Sequence, residues 1–263
     1  MHNESQIFKE FLQGVYMLIT ASTLYRDTGN FLRHQLTNIV LIVFFTSCVM
    51  AVISKIFMPS FEEVQLLGED VLSGATRSLI EMVQNMPPEQ QKVLLRLSVA
   101  GTLSSLVGHA LLLGGMLSLI SIASSGRPVT ALHAVGASCS NLLRLLSLTF
   151  VMMLSIQIGF MSLVVPGVLL AITLALSPMV ITTEKVGLVN AIYTSGQLGW
   201  INIKLIAPVV SFWILGKLLV LLIASKLVML PPDVAIVFLD ILSNFFSSIL
   251  IIYLSRLYML LKS

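Results

Sequence analysis

The chain is poor in charge. It carries 15 Lys and Arg against 12 Asp and Glu, together 10% of its 263 residues. A soluble domain carries about a quarter charged residues, so a soluble enzyme or binding module is excluded. The formal net charge of +3 is too small to recruit nucleic acid, and no nucleic-acid partner is expected. Cysteine is nearly absent too. Cys48 and Cys139 form neither a disulfide framework nor a metal spacing, and are expected as small buried or interfacial residues. No nucleophile-elbow, HExxH or phosphate-loop pattern occurs, so neither enzyme activity nor a cofactor or metal is expected. A cleavable leader is not expected either, since Glu4 and Glu10 come early and the apolar piece from Val15 to Ala21 is short. Met17 is a second candidate start.

What the chain has is apolar length: 57% of its residues are hydrophobic. The run from Leu145 to Thr183 contains no charge. As one helix it would be roughly 60 Å long, against a hydrocarbon core of about 30 Å, so it crosses a bilayer twice. Val164-Val165-Pro166-Gly167 is the expected turn, because Pro disfavours helix in the residue before it and Gly accepts positive φ. Further apolar stretches bring the expected spans to six: 36–58, 99–123, 145–165, 168–183, 205–229 and 234–260. The fold class is an all-α polytopic membrane protein, a single membrane domain over 1–263 with interfacial amphipathic helices before the odd-numbered spans.

Residues 1–35 read as a cytoplasmic, interfacial segment, with Ile7, Phe8, Phe11, Leu12, Val15 and Ile19 along one helical face. The connection 59–98 leans acidic through Glu62, Glu63, Glu69, Asp70, Glu81 and Glu89, and Pro87-Pro88-Glu89 opens a helix that can run on into span two. Arg26, Arg33, Arg127, Arg144, Lys185, Lys204, Arg256 and Lys262 fall on one side of a six-span arrangement. Both termini are therefore expected in the cytoplasm, with the protein in a bacterial inner membrane.

Val129-Thr-Ala-Leu-His-Ala-Val-Gly136 resembles Val189-Asn-Ala-Ile-Tyr-Thr-Ser-Gly196, and Arg144 then lines up with Lys204 without a gap. Ser22-Thr-Leu-Tyr25 is a weaker third copy. The spacing suggests three units, each an interfacial helix followed by a two-span hairpin; parallel repeats of this kind occur in transporters.

Four motifs carry a family resemblance. They are Tyr25-Arg-Asp-Thr-Gly-Asn-Phe31, Gln84-Asn-Met-Pro-Pro-Glu-Gln-Gln91, Val165-Pro-Gly167 with Leu176-Ser-Pro178, and Ser255-Arg-Leu-Tyr-Met-Leu260. In this order, from about Met17 onward, the chain resembles the YciC-type family of uncharacterised bacterial inner-membrane proteins. The resemblance implies a multi-span inner-membrane protein and carries over no functional residue.

Three intramembrane polar positions stand out: Lys217, Asp240 and His109. Charge at depth is costly and often functional. Two readings of Lys217 and Asp240 stay open. They form a partly buried ion pair or line a polar cavity, or Lys217 reaches the surface while Asp240 lies among headgroups. With both measured from the Pro231-Pro232 turn, Lys217 lies about 20 Å down and Asp240 about 10 Å. His109 follows Gly101 and Ser105 at i+4 spacing, beside Ser104 and Gly108, a pattern expected for close helix packing. Trp200 beside Lys204 fits an interfacial anchor. The expected function is non-enzymatic, in envelope or membrane-lipid homeostasis through membrane lipids, a membrane-protein partner or a homo-oligomer; the alternative is a small-solute or lipid transporter.

Overall fold

In the computed structural model, residues 21–60, 63–64, 86–227 and 231–262 are described. The amphipathic face from Ile7 to Ile19 and most of the acidic connection lie outside them. The helices are α1 (Ala21–His34), α2 (Leu36–Phe57), α3 (Pro88–Ser124), α4 (Ala131–Ser138), α5 (Leu142–Ser162), α6 (Val164–Leu174), α7 (Ser177–Thr183), α8 (Leu188–Ile201), α9 (Ile203–Ala224) and α10 (Pro232–Lys262). A single 3-10 turn, Cys139–Asn141, links α4 to α5, and the described residues contain no strand.

Among the described residues six helical stretches are long and apolar enough to span: α2, α3, α4 with α5, α6 with α7, α9 and α10. The second begins at Pro88 and runs unbroken to Ser124, with Pro at its first turn, where a missing N–H costs nothing. Outer faces are apolar and bare, as at Phe44, Leu215 and Leu222. That suits a lipid solvent, which offers backbone groups no hydrogen bonds and so favours helix.

The order short helix, span, span occurs three times: α1 with α2 and α3, α4 with α5 and α6–α7, and α8 with α9 and α10. Each short helix leans on the second span of another unit. α4 packs on α3, α8 on α6 and α7, and α1 on α10, so the first unit closes a ring with the third. Tyr25 meets Tyr253 with ring centroids 5.3 Å apart, and the Arg256 guanidinium lies 4.8 Å over the Phe31 ring. At the same end of the bundle, Asn38 donates to the Val129 carbonyl, Arg144 to the Val186 carbonyl, and Tyr258 and Lys262 both reach Glu184. This end carries Arg127, Arg144, Lys185, Lys204, Arg256 and Lys262, and is the basic face.

The Pro-Gly hairpin differs from expectation in an instructive way. The reversal is one residue, Leu163, in extended conformation (φ −165°, ψ 158°), while Pro166 and Gly167 lie in the first turn of α6. Gly167 has no positive φ; that conformation occurs at Gly126 (φ 74°) and Lys185 (φ 53°). Its task is close approach. A Cβ on Gly167 would sit 2.5 Å from the Phe160 ring, and one on Gly159 would sit 2.9 Å from Gly167 Cα. The two glycines let α5 and α6 cross in backbone contact.

The fourth span is broken. Pro178 supplies no N–H, and at Ala175-Leu176 the ladder shortens, with Ala175 N bonded to the Ile172 carbonyl and Met179 N to the Leu176 carbonyl. The carbonyl of Thr173, which a continuous helix would satisfy from Ser177, instead accepts from Ser195 Oγ of α8 at 2.7 Å. Both halves pack on α5 and α8; below the break α7 also touches α3 and α10, whereas above it α6 packs on α9. The divergence opens the middle of the bundle.

Candidate functional site

The opening is a cavity of about 460 Å³, within the range of ligand pockets. Its walls come from α3, α5, α6, α7, α9 and α10, with Leu112, Met152, Ile156, Ala175, Leu250 and Leu254 among them. They are apolar but for a few groups. His109, Gln157, Trp213 and Ser247 border the cavity, as does Thr149, whose buried hydroxyl has no hydrogen-bond partner among the described residues.

A second chamber of about 690 Å³ opens at the basic face. It is the more polar of the two: Ser118 and Ser121 of α3, Ser138, Asn141, Thr182 and Thr183, and Ser255, Tyr258 and Lys262 of α10 line it, among apolar groups such as Leu117, Ile122 and Met259. Met179, 2% exposed, borders both chambers. Leu145 lines the polar chamber and Thr149, one turn further along α5, the apolar one; Ser255 and Leu254 divide likewise on α10. The two chambers adjoin at Met179, one at the basic face and the other toward the middle of the bundle. At the mouth of the polar chamber Lys262 Nζ lies 2.5 Å from Glu184 Oε1, which also accepts from the Tyr258 hydroxyl at 2.6 Å. These bonds, the Lys262 one foremost, hold the Glu184 carboxyl below the ordinary glutamate range.

Of Lys217, Asp240 and His109, only His109 borders the apolar chamber; Lys217 and Asp240 lie outside its lining. Fixed pairs set the α9–α10 register: the Tyr253 hydroxyl donates to the Leu205 carbonyl, Trp213 Nε1 to Ser247 Oγ, and Lys217 Nζ to Ser243 Oγ. Lys217 also sits 5.5 Å from the Trp213 ring centroid, a cation–π geometry. The wide axial gap between Lys217 and Asp240 is corrected here. α9 ends at Ala224, short of the expected 229, so the two residues lie at nearly equal depth from their helix ends. No ion pair joins them among the described residues, yet Lys217 is within electrostatic range of both Asp240 and His109. His109 Nδ1 donates to the Ser105 carbonyl at 2.7 Å, leaving Nε2 as an acceptor when the ring is neutral.

The small residues of α3 divide by face. Ser104 Oγ donates to the Met50 carbonyl at 2.7 Å, and a Cβ on Gly108 would meet Met50 Sδ at 2.3 Å, so this pair seats α2. Gly101 faces open space and takes no part. Sequence reading missed the polar stripe of α10. Asp240, Ser243, Asn244, Ser247 and Ser248 share one helical face, and Asn244, 1% exposed, donates to Ser47 Oγ of α2 at 2.9 Å. Their 3-1-3-1 spacing was the available signal. Of the cysteines, Cys139 is exposed and Cys48 half-buried. Trp200 is 62% exposed beside the basic face, and the described residues hold no group of three His, Cys, Asp or Glu suited to a metal.

Spans bare and apolar outside, with polar side chains turned toward one another inside, define a polytopic α-helical membrane protein. Comparison with known proteins sharpens that class. The chain belongs to the uncharacterised protein family UPF0259, whose family profile matches residues 17–260; this is the family that the YciC-type motifs resemble. Relatives include the UPF0259 membrane proteins of Yersinia pestis (strain Pestoides F) and Yersinia pseudotuberculosis serotype O:3 (strain YPIII). Each is 46% identical over 249 residues, covering 94% of this chain and 97% of the relative. No solved structure matches.

Proposed function

We propose that this protein is a non-enzymatic lipid-binding protein of a bacterial inner membrane, acting in membrane-lipid homeostasis. The observation that carries the reading is the apolar cavity midway through the bundle, walled by flexible Met and branched aliphatic side chains. The basic face is cytoplasmic on this reading, by the excess of Lys and Arg next to the spans, which puts both ends of the described chain there. The charges Lys217 and Asp240 within the spans, with His109 bordering the cavity, favour a second reading, transport of a lipid or small solute, in which these groups contact water during a cycle.

Native mass spectrometry of the protein, extracted gently from its own membrane, tests the first reading. It predicts one lipid retained at fixed stoichiometry, lost when Ala175→Phe narrows the cavity. A retained protein partner, or a second copy of the chain, with bulk lipid only would refute lipid binding. Cysteine substitution at 217, 240 and 109 tests the second: labelling of all three by a water-soluble thiol reagent supports transport, and protection of all three refutes it.

A further inference from the structure

Resting on the lipid-binding reading, we infer that the ligand is a phosphate-bearing lipid drawn from the leaflet at the basic face, its headgroup in the polar chamber and one chain past Met179 in the apolar one. The energetics of the two chambers differ. A chain moving from bilayer to apolar cavity gains almost no hydrophobic free energy, because lipid tails are as apolar as the walls. Selection therefore falls to the polar chamber.

Its lining is built for an oxygen-rich anion. The side chains of Ser118, Ser121, Asn141, Thr183 and Ser255 make no hydrogen bond within the described residues, although Ser255 is only 5% exposed. Hydroxyls left free along a chamber wall can donate to a ligand, and phosphate oxygens accept from several hydroxyls at once. Among the described residues Lys262 is the one charged residue of the lining, and it sits at the mouth. Glu184 lies behind it, so a phosphate and this carboxylate can share one ammonium, or exchange for it. Met179, unbranched and adaptable, lets a chain pass the constriction between the chambers.

The test uses full-length protein in mild detergent, equilibrated with equal amounts of phosphatidylglycerol and a diacylglycerol of the same chains, read by native mass spectrometry. Wild type retains one phospholipid with roughly tenfold preference, the effect expected of charge-assisted hydrogen bonds. Lys262→Met lowers that preference about fivefold or more and leaves chain retention intact. Met179→Trp abolishes retention of the long-chain phospholipid while a dihexanoyl phospholipid still binds; should that variant not fold, Ala175→Phe gives the same readout. Equal retention of phospholipid and diacylglycerol by wild type overturns the headgroup inference and leaves lipid binding standing. Retention of neither at fixed stoichiometry overturns the lipid-binding reading itself. Displacement of the phospholipid by equimolar inorganic phosphate makes a soluble phosphate the ligand, and overturns the lipid as its source.

Discussion

Gly199→Ala is the substitution whose cost the structure fixes most closely. A Cβ at this position in α8 would lie 2.9 Å from Thr173 Cα, 3.0 Å from the Thr173 oxygen and 3.2 Å from the Ile172 oxygen. All three are backbone atoms, so no side chain can swing away. α8 must move off α6, and with it Ser195, whose hydroxyl alone caps the carbonyl exposed by the helix break. Overpacking of this kind costs about 1–3 kcal/mol. Losing an interhelical hydrogen bond within a membrane adds about 0.6 kcal/mol, with a maximum near 1.7. A destabilisation of about 2–4 kcal/mol follows, against which the better helix propensity of Ala returns up to about 1. Gly196, in the same helix, supplies the control, since a Cβ there meets nothing within 4 Å. Gly196→Ala should be neutral or stabilising by about 0.5–1 kcal/mol. Unfolding in mixed micelles, followed by circular dichroism against the mole fraction of denaturing detergent, measures both. If the two variants unfold together, the proposed α6–α8 contact and the capping of the broken span are wrong.

Three further outcomes are expected. Gly108→Leu should lower the melting temperature in detergent by displacing Met50 from α3, whereas Gly101→Leu, in open space, should not; equal melting of the two refutes the assignment of faces. Glu184, with its carboxyl held below the ordinary range near 4.5, contributes stability that is present above that value and is lost as pH falls through its depressed folded value. Wild type should therefore out-melt Glu184→Gln at neutral pH, and the difference should close only in acid well below pH 4.5; a gap that persists there refutes the pairing with Lys262 and Tyr258. Cys139, exposed at the basic face, should react with an impermeant maleimide in inverted membrane vesicles and not in spheroplasts; the reverse pattern overturns the orientation.

Hydropathy and helical period made much of this fold legible. Both are local properties, and six spans with a short helix before each odd one depend on little else. What escaped were features set by packing. Pro166-Gly167 reads as a turn because both residues favour turns, yet the helix reverses at Leu163 and the glycine serves a crossing that only the folded hairpin creates. The depth of Lys217 was misjudged because an apolar run conceals the point where a helix ends, and α9 stops at Ala224. The break at Ala175-Leu176 had a visible cause in Pro178, but its result, two halves that share α5 and α8 and differ in their other neighbours, requires the neighbours. The α10 stripe differs in kind: its period was present in the sequence, and Ser and Asn merely looked scattered beside the two charges.

The ring of short helices also sets an order of assembly. Among the described elements α1 is made before the spans, yet its partner α10 is made after the other five spans. Tyr25 must wait for Tyr253, which at about 5–20 residues per second is a delay of roughly ten to fifty seconds. During that interval Leu24 and Phe31, buried in the finished protein, have no protein surface to cover them, and the bilayer interface is where an amphipathic helix can rest. Insertion of the sixth span thus gives the first helix its protein partner and closes the ring of short helices in one late step.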